Sequence, residues 1–258
     1  MYGKLTYDYP NATEVREYHD GRYGAPGQKR IKKKKPTPEQ MEKVNQSNKE
    51  RKARHKLRMY FKVNDYFFDL TYNKDLRPPD MEAAKADWST TLDIIRKEYK
   101  KRGAPLYWMR NIEVGTKGGW HIHLVINRIP DTDIILRKAW SHGRVSGQLL
   151  YERGEFRELA AYITKTPKTD PRLREAHYDA SRNMPLPEPD KKIYKHWKTW
   201  KDIKIPDGYY LDKDSVYEGI NPVTGYPYRE YTLLRIKRID RKDWKPKKKK
   251  KEKNRGKP

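Results

Sequence analysis

Apolar and polar positions alternate in a readable way only through the middle of the chain. The run YFFDLTY, Tyr66 to Tyr72, is dense in aromatic and β-favouring residues and stops at NKDLRPP, which predicts a strand ending in a loop. Met81, Ala84, Trp88, Leu92, Ile95 and Tyr99 then recur at spacings of three and four, with Asp80 as N-cap and Gly103 just past the end. That is the pattern of an amphipathic helix. LYWMRNIEV and WHIHLVIN flank the glycine-bearing turn TKGG and predict a β-hairpin. DTDIILRKAWSHG reads as a short helix stopped at Gly143, RVSGQLLY as a strand, and EFRELAAYITK as a helix ended by Pro167. Strand, helix, hairpin, helix, strand, helix implies an α+β fold with an antiparallel central β-sheet flanked by helices.

Outside that middle the pattern weakens. Residues 1–58 include KRIKKKKPTPEQ and a polar, Lys-rich stretch that can bury little, so they are expected to be a flexible basic arm, helical from Pro38 onward when bound. The folded domain is expected over 59–167. Residues 168–243 form an accessory region, either a small lobe or a wrap, in which GYPYREYTLLRIKR supplies one strand. Residues 244–258 are a Lys-rich tail that cannot form a core.

Charge sharpens this division. The 258 residues carry a formal net charge of +25, and 34% are apolar against 37% charged. Residues 29–58 hold 13 Lys or Arg against 3 acids, and residues 237–258 hold the same numbers, so these two stretches account for most of the excess. The middle is close to an ordinary globular chain. Such an excess favours a polyanionic partner, nucleic acid before an acidic membrane surface. There is no cysteine, which excludes disulfides, thiolate zinc sites and cysteine nucleophiles and leaves histidine and carboxylate as metal ligands. No apolar run reaches the roughly 20 residues of a bilayer span and the start lacks a signal-peptide core, so a cytoplasmic protein is expected.

Candidate chemistry lies in the hairpin. His121 and His123 are separated by one residue, so on a strand they share a face, roughly 6 to 7 Å apart, with Trp120, Ile122, Leu124 and Ile126 on the other. Two imidazoles on one face can clamp a metal ion. With a three-residue turn of Lys117, Gly118 and Gly119, Glu113 falls opposite His123 as a third ligand, whereas a turn one residue longer or shorter flips it to the other face. An isolated HxH is equally compatible with ordinary packing. In EFRELAAYITKTP, Phe156, Leu159, Ala160 and Ile163 form the core stripe, leaving Tyr162 and Lys165 as neighbours on an adjacent face. A tyrosine there is ordinarily half-buried packing. Beside a metal site its hydroxyl becomes a nucleophile next to a Lewis acid. Glu155 and Glu158 read as a solvated helix face.

Taken together, LTY at Leu70 to Tyr72, HIH at His121 to His123 and YITK at Tyr162 to Lys165 resemble the three ordered motifs of the HUH endonuclease superfamily. Histidines before tyrosine is the order of rolling-circle replication initiators (Rep proteins), and a single tyrosine with lysine three residues on is similar to the one-tyrosine Rep group of plasmids, small phages and integrative elements. The resemblance covers roughly residues 66–167. It implies an HUH nuclease domain in which His121, His123 and Glu113 hold Mg²⁺ or Mn²⁺ and Tyr162 attacks single-stranded DNA at an origin hairpin to give a 5′-phosphotyrosine. It further implies that Lys165 assists that attack and that Thr71, Tyr72, Lys117 and Lys168 contact DNA. A free tyrosine is only about 0.1% ionised at pH 7, so such an attack needs nearby positive charge. The sequence contains no GxxxxGK[ST], so strand separation is expected to come from supercoiling or a separate helicase. The same chemistry serves transfer or transposition of a mobile element. A non-catalytic basic nucleic-acid-binding protein is the reading from another class.

Overall fold

A computed structural model of the chain describes residues 1–19, 35–115, 118–151, 156–165, 178–221 and 224–245. Two compact units emerge, one of residues 1–42 and 187–258, the other of residues 43–186.

The first unit is built from both ends of the chain. β1 (Tyr2–Asp8) and β2 (Ala12–Tyr18) form a hairpin, β8 (Asp190–Tyr194) pairs with β1, and β10 (Pro227–Arg235) joins β2 to β9 (Tyr209–Ile220). The order β8-β1-β2-β10-β9 is antiparallel at every junction. Val15, Tyr231 and Leu233 are its buried apolar centre, with Leu211 packed against them. A buried ion pair crosses the same sheet, Arg229 donating through Nε and Nη2 to Glu17 Oε2 at 2.9 and 2.6 Å. The flexible arm expected over residues 1–58 is thereby corrected. The alternation in YGKLTYD and ATEVREY is that of half-buried strands, and their partners lie some 200 residues away, where local reading cannot see them.

The second unit holds the predicted α+β domain. β3 (Tyr66–Thr71), β4 (Trp108–Val114), β5 (Trp120–Ile126), β6 (Val145–Leu149) and β7 (Tyr178–Ala180) make an antiparallel sheet in the order β6-β3-β5-β4-β7. α2 (Met81–Lys101) starts where Asp80 accepts a hydrogen bond from the Ala83 N–H at 2.8 Å and ends before Gly103 at φ +61°, as its sequence predicts. With α3 (Thr132–Ala139) it covers one sheet face, burying Phe68, Leu70, Ile112, Ile122, Leu124 and Ile126.

The opposite face carries a second core made by α1 (Pro38–Tyr60) and α4 (Arg157–Thr164). Ala53 and Leu57 of α1 and Phe156, Ala160 and Ile163 at α4 close over Phe67, Met109 and Val125. α1 is therefore a 23-residue helix, where an arm was expected to be helical only when bound. Its polar composition hides a short apolar line, Ala53, Leu57 and Phe61, at i, i+4 and i+8. This second core covers only part of its sheet face. The part left open carries the histidines.

Candidate active site

Three adjacent strands present the cluster. β5 lies between β3 and β4, and alternation puts Asp69 and Thr71 of β3, Asn111 and Glu113 of β4, and His121 and His123 of β5 on one face. The hairpin register differs from expectation by two residues. Glu113 is paired with His121, and Asn111 with His123. Gly118 at φ +71° closes the turn one residue early, its N–H donating to the Gly115 carbonyl, which brings Gly119 into the pair with Gly115. A shift of two keeps the face, so Glu113 still reaches His123, with Oε2 at 3.1 Å from Nε2 along the diagonal.

His123 is held at both nitrogens. Asp69, its direct partner across β3, bonds Nδ1, and Glu113 bonds Nε2. Burial works to lower the pKa of His123, but the hydrogen bonds and charges of Asp69 and then Glu113 outweigh it, and the net shift is upward. His121 behaves oppositely. Burial, then the charge of His123, hold it below the ordinary histidine range against the pull of Asp69 and Glu113, and Arg77 adds to the lowering. The two rings are parallel, with centroids 6.3 Å apart. Glycine at 119 keeps His121 Nε2 accessible, since a Cβ there would stand 3.3 Å from it.

Tyr162 closes the site from α4. Its hydroxyl lies 3.2 Å from His123 Nε2 and 3.4 Å from Nδ1, with the two rings edge to face at 5.0 Å and Phe67 packed against both. The side chain is 43% exposed. Burial, then the charges of Asp69 and Glu113, push its hydroxyl up to about 12. α4 is fixed at both ends. Phe156, buried in the core, holds the N-cap at φ +49°, and Asn111 Nδ2 donates to the Lys165 carbonyl at 3.2 Å.

The remaining candidates are placed differently. Lys165 is not on α4 but caps it in an extended conformation. It is exposed and is not among the charges acting on Tyr162. Thr71 lies on the site face opposite His121, its hydroxyl donating to the Arg144 carbonyl at 3.3 Å. Tyr72, taken as a DNA contact, is a core residue at 6% exposure. Its ring packs on Trp140 and its hydroxyl donates to Asp87 at 3.1 Å, because at the end of β3 it turns to the face covered by α2 and α3. Lys117, Lys168 and Glu155 lie outside the described residues. Asp69, Asn111 and Arg77 are site residues that the motifs passed over. Asp69 stands two positions before Thr71 and so shares its face, a signal that becomes visible once β3 is paired with β5.

The donors present, two imidazoles and two carboxylates, suit a hard or borderline divalent ion such as Mg²⁺ or Mn²⁺. The 3.1 Å between Glu113 Oε2 and His123 Nε2 is also close to the spacing of adjacent ligands held at about 2.1 Å around an octahedral ion, roughly 3 Å. As placed, however, a proton serves between them. Among the described residues, no three His, Asp or Glu side chains form a ready metal-binding group.

An antiparallel α+β domain with a His–carboxylate–Tyr cluster on an open sheet face is thus what the central residues build. Residues 65–167 match the model of the replication-associated protein ORF2 family, a match consistent with a rolling-circle Rep-type protein. It associates this segment with DNA replication. No curated protein and no solved structure matches the chain. Among the described residues no helix is long and apolar enough to cross a membrane.

Proposed function

We propose that residues 43–186 form an HUH-type nuclease that nicks and rejoins single-stranded DNA at an origin hairpin and so initiates rolling-circle replication. The observation carrying this reading is the convergence of the Tyr162 hydroxyl on His123 within 3.2 Å, between the carboxylates of Asp69 and Glu113. Tyr162 forms a bond from its phenolic oxygen to phosphorus while the bond from phosphorus to the 3′ oxygen breaks. The products are a 5′-phosphotyrosine and a free 3′-hydroxyl, the phenolic proton being balanced by the one gained at the 3′ oxygen. One phosphodiester replaces another, so the step is reversible and rejoining needs no ATP.

Each neighbour has a part in this scheme. Asp69 fixes the ring of His123 through Nδ1 and turns Nε2 toward Glu113 and the hydroxyl. His121, kept neutral, offers an unprotonated nitrogen. A Mg²⁺ or Mn²⁺ ion held by His121, His123 and Glu113 would polarise the scissile phosphate and offset the carboxylate charge that disfavours the phenolate. Lys165, exposed just past α4, and Arg77, beside His121, suit the DNA backbone better than the nucleophile. Strand separation falls to supercoiling or a separate helicase.

A non-catalytic nucleic-acid-binding role is favoured by one observation, that His123 already satisfies both nitrogens within the protein. Incubation with a single-stranded origin hairpin and Mg²⁺ or Mn²⁺ separates the two. The nuclease reading expects a covalent protein–DNA adduct that is lost in Tyr162→Phe and in chelator. An adduct persisting in Tyr162→Phe would move the nucleophile to another tyrosine, and the absence of any adduct would leave the binding role. Transfer of a mobile element uses the same chemistry and differs only in its DNA target.

A further inference from the structure

The sheet has a second feature on the face away from Tyr162. Trp108 and Arg110 alternate with Asn111 and Glu113 along β4 and so point to the α2 side. There α2, β4 and the segment following β7 enclose an open groove of about 670 Å³. Four cations line it, Lys85 and Arg96 from α2, Arg110 from its floor and Arg182 from the far wall, against a single carboxylate, Asp179. Lys85, Ser89 and Arg96 stand at i, i+4 and i+11 of α2, one helix face, over a length of about 16 Å.

The charge is unbalanced at depth as well as at the rim. Arg110 is only 4% exposed, and its ion pair with Asp179 is long, 3.8 Å. Arg96 pairs with Asp93 at the surface, while no acid among the described residues pairs with Lys85 or Arg182. A guanidinium at the floor of a groove with more cations at its lips fits the geometry of an anion that enters from solvent. Ser89, Ser181 and Asn183 add neutral polar groups between the charges.

The aromatic lining decides what kind of anion. Trp88 and Trp108 are themselves buried and packed edge to face at 5.2 Å, so neither offers an open ring for a base to stack on. A free nucleotide would need such a slot. A backbone read by charge alone does not.

We propose that this groove is a second DNA contact, which binds the phosphodiester backbone flanking the cleavage point on the face of the sheet opposite Tyr162. DNA rounding the β7 edge then touches the domain on both faces and is restrained on either side of the cut. The proposal takes the identity of its ligand from the nuclease reading, and its test involves no cleavage.

Binding of a single-stranded oligonucleotide is measured in EDTA, in a Tyr162→Phe background, as a function of salt. The pair Lys85→Glu and Arg182→Glu is expected to lower affinity ten- to hundredfold near 0.1 M salt. It should also reduce the slope of log K against log salt by about 1.4, the share of two phosphate contacts on a single strand. The neutral pair Lys85→Gln and Arg182→Gln is expected to reduce the slope equally, so misfolding of the reversed pair does not spare the idea. Lys97→Glu with Lys100→Glu, of the same charge change elsewhere on α2, is expected to leave the slope nearly unchanged. An equal loss in that control, or an unaltered slope in the neutral pair, overturns the groove as a site. Binding of ATP that depends on Lys85 and Arg182 while the oligonucleotide is indifferent to them overturns the backbone as its occupant. A chain that forms an adduct yet shows no groove dependence loses this inference alone, and one that shows groove dependence without ever forming an adduct loses only the nuclease reading.

Discussion

Tyr162 ionisation is where the geometry makes its sharpest demand on the proposed chemistry. Burial, with Asp69 and Glu113 adding to it, places the hydroxyl at about 12, so at pH 8 about one in 10⁴ is ionised, against about one in 10² for an ordinary tyrosine. A cation among the carboxylates acts in the opposite sense. An opposite charge within about 4 to 6 Å shifts a group by roughly 1 to 3 units, which returns the hydroxyl to between about 9 and 11 and raises the phenolate tenfold to a thousandfold. Across pH 6 to 9 the rate of adduct formation with Mn²⁺ should therefore rise tenfold per unit, with no plateau. Replacing Tyr162 by a ring-fluorinated tyrosine, close in size and lower in intrinsic pKa, is the informative perturbation. Single-turnover rates should then reach a plateau within that range, displaced downward in pH by the lowering of the phenol. A flat profile for the native protein that fluorination does not move would refute the reasoning, because proton loss from Tyr162 would not be on the path.

Other consequences concern stability in metal-free buffer. Asp65 accepts backbone N–H bonds from Lys62 and Arg128, both at 2.8 Å, yet its burial raises its carboxyl from 3.8 to about 6. The fold therefore disfavours the ionised form by about 3 kcal/mol above pH 6, a cost that vanishes below the unfolded value. Lowering pH from 7 to 5 should stabilise the protein by about 1 kcal/mol through this group. Asp65→Asn should remove that slope in urea unfolding and still destabilise by about 1 to 3 kcal/mol, because an amide can accept only one of the two bonds. His123 has a raised folded pKa, so its contribution is fully present below about pH 6.5 and is lost as pH rises through the folded value. Asp69→Asn should consequently cost more at pH 5.5 than at pH 8.5, and an equal cost at both would show that His123 is not held as an imidazolium. Leu57→Ala, at a fully buried position of α1, should cost about 2 to 5 kcal/mol, while a loss under 1 kcal/mol would mean that α1 does not close the second core.

What could be read in advance followed from how local its cause is. α2 was legible to its caps because its apolar stripe, its Asp80 N-cap and its terminal glycine all lie within one stretch of 24 residues. α1 was not, since Ala53 and Leu57 sit among Lys and Arg and their burial depends on Phe67, Met109 and Val125 from later in the chain. β1 and β2 were missed for the same reason. Strand pairing stabilises them, and β10 lies at the other end of the sequence. At the site, the motifs supplied His121, His123, Glu113 and Tyr162, while Asp69, which holds His123 most directly, needed the pairing of β3 with β5. Lys165 was placed on the tyrosine's helix by periodicity alone, and that helix ends at Thr164.

The hairpin explains why an inexact reading could still find the cluster. Register enters a prediction at two levels with different tolerance. Side chains alternate faces with period two, so an error of one residue would have sent Glu113 into the core beside Ile112 and Val114 and removed it from the histidines altogether. The actual difference was two, which exchanges partners and preserves faces. Glu113 moved from opposite His123 to opposite His121, yet a carboxylate on a two-carbon stem spans the diagonal and meets His123 Nε2 at 3.1 Å. The exchange placed Asn111 directly opposite His123, where its amide ties β4 to the end of the tyrosine-bearing helix. Face membership, fixed by burial of Ile112, Ile122 and their neighbours, is the robust quantity. Partner identity depends on one turn residue, Gly118, and only the folded backbone reveals it.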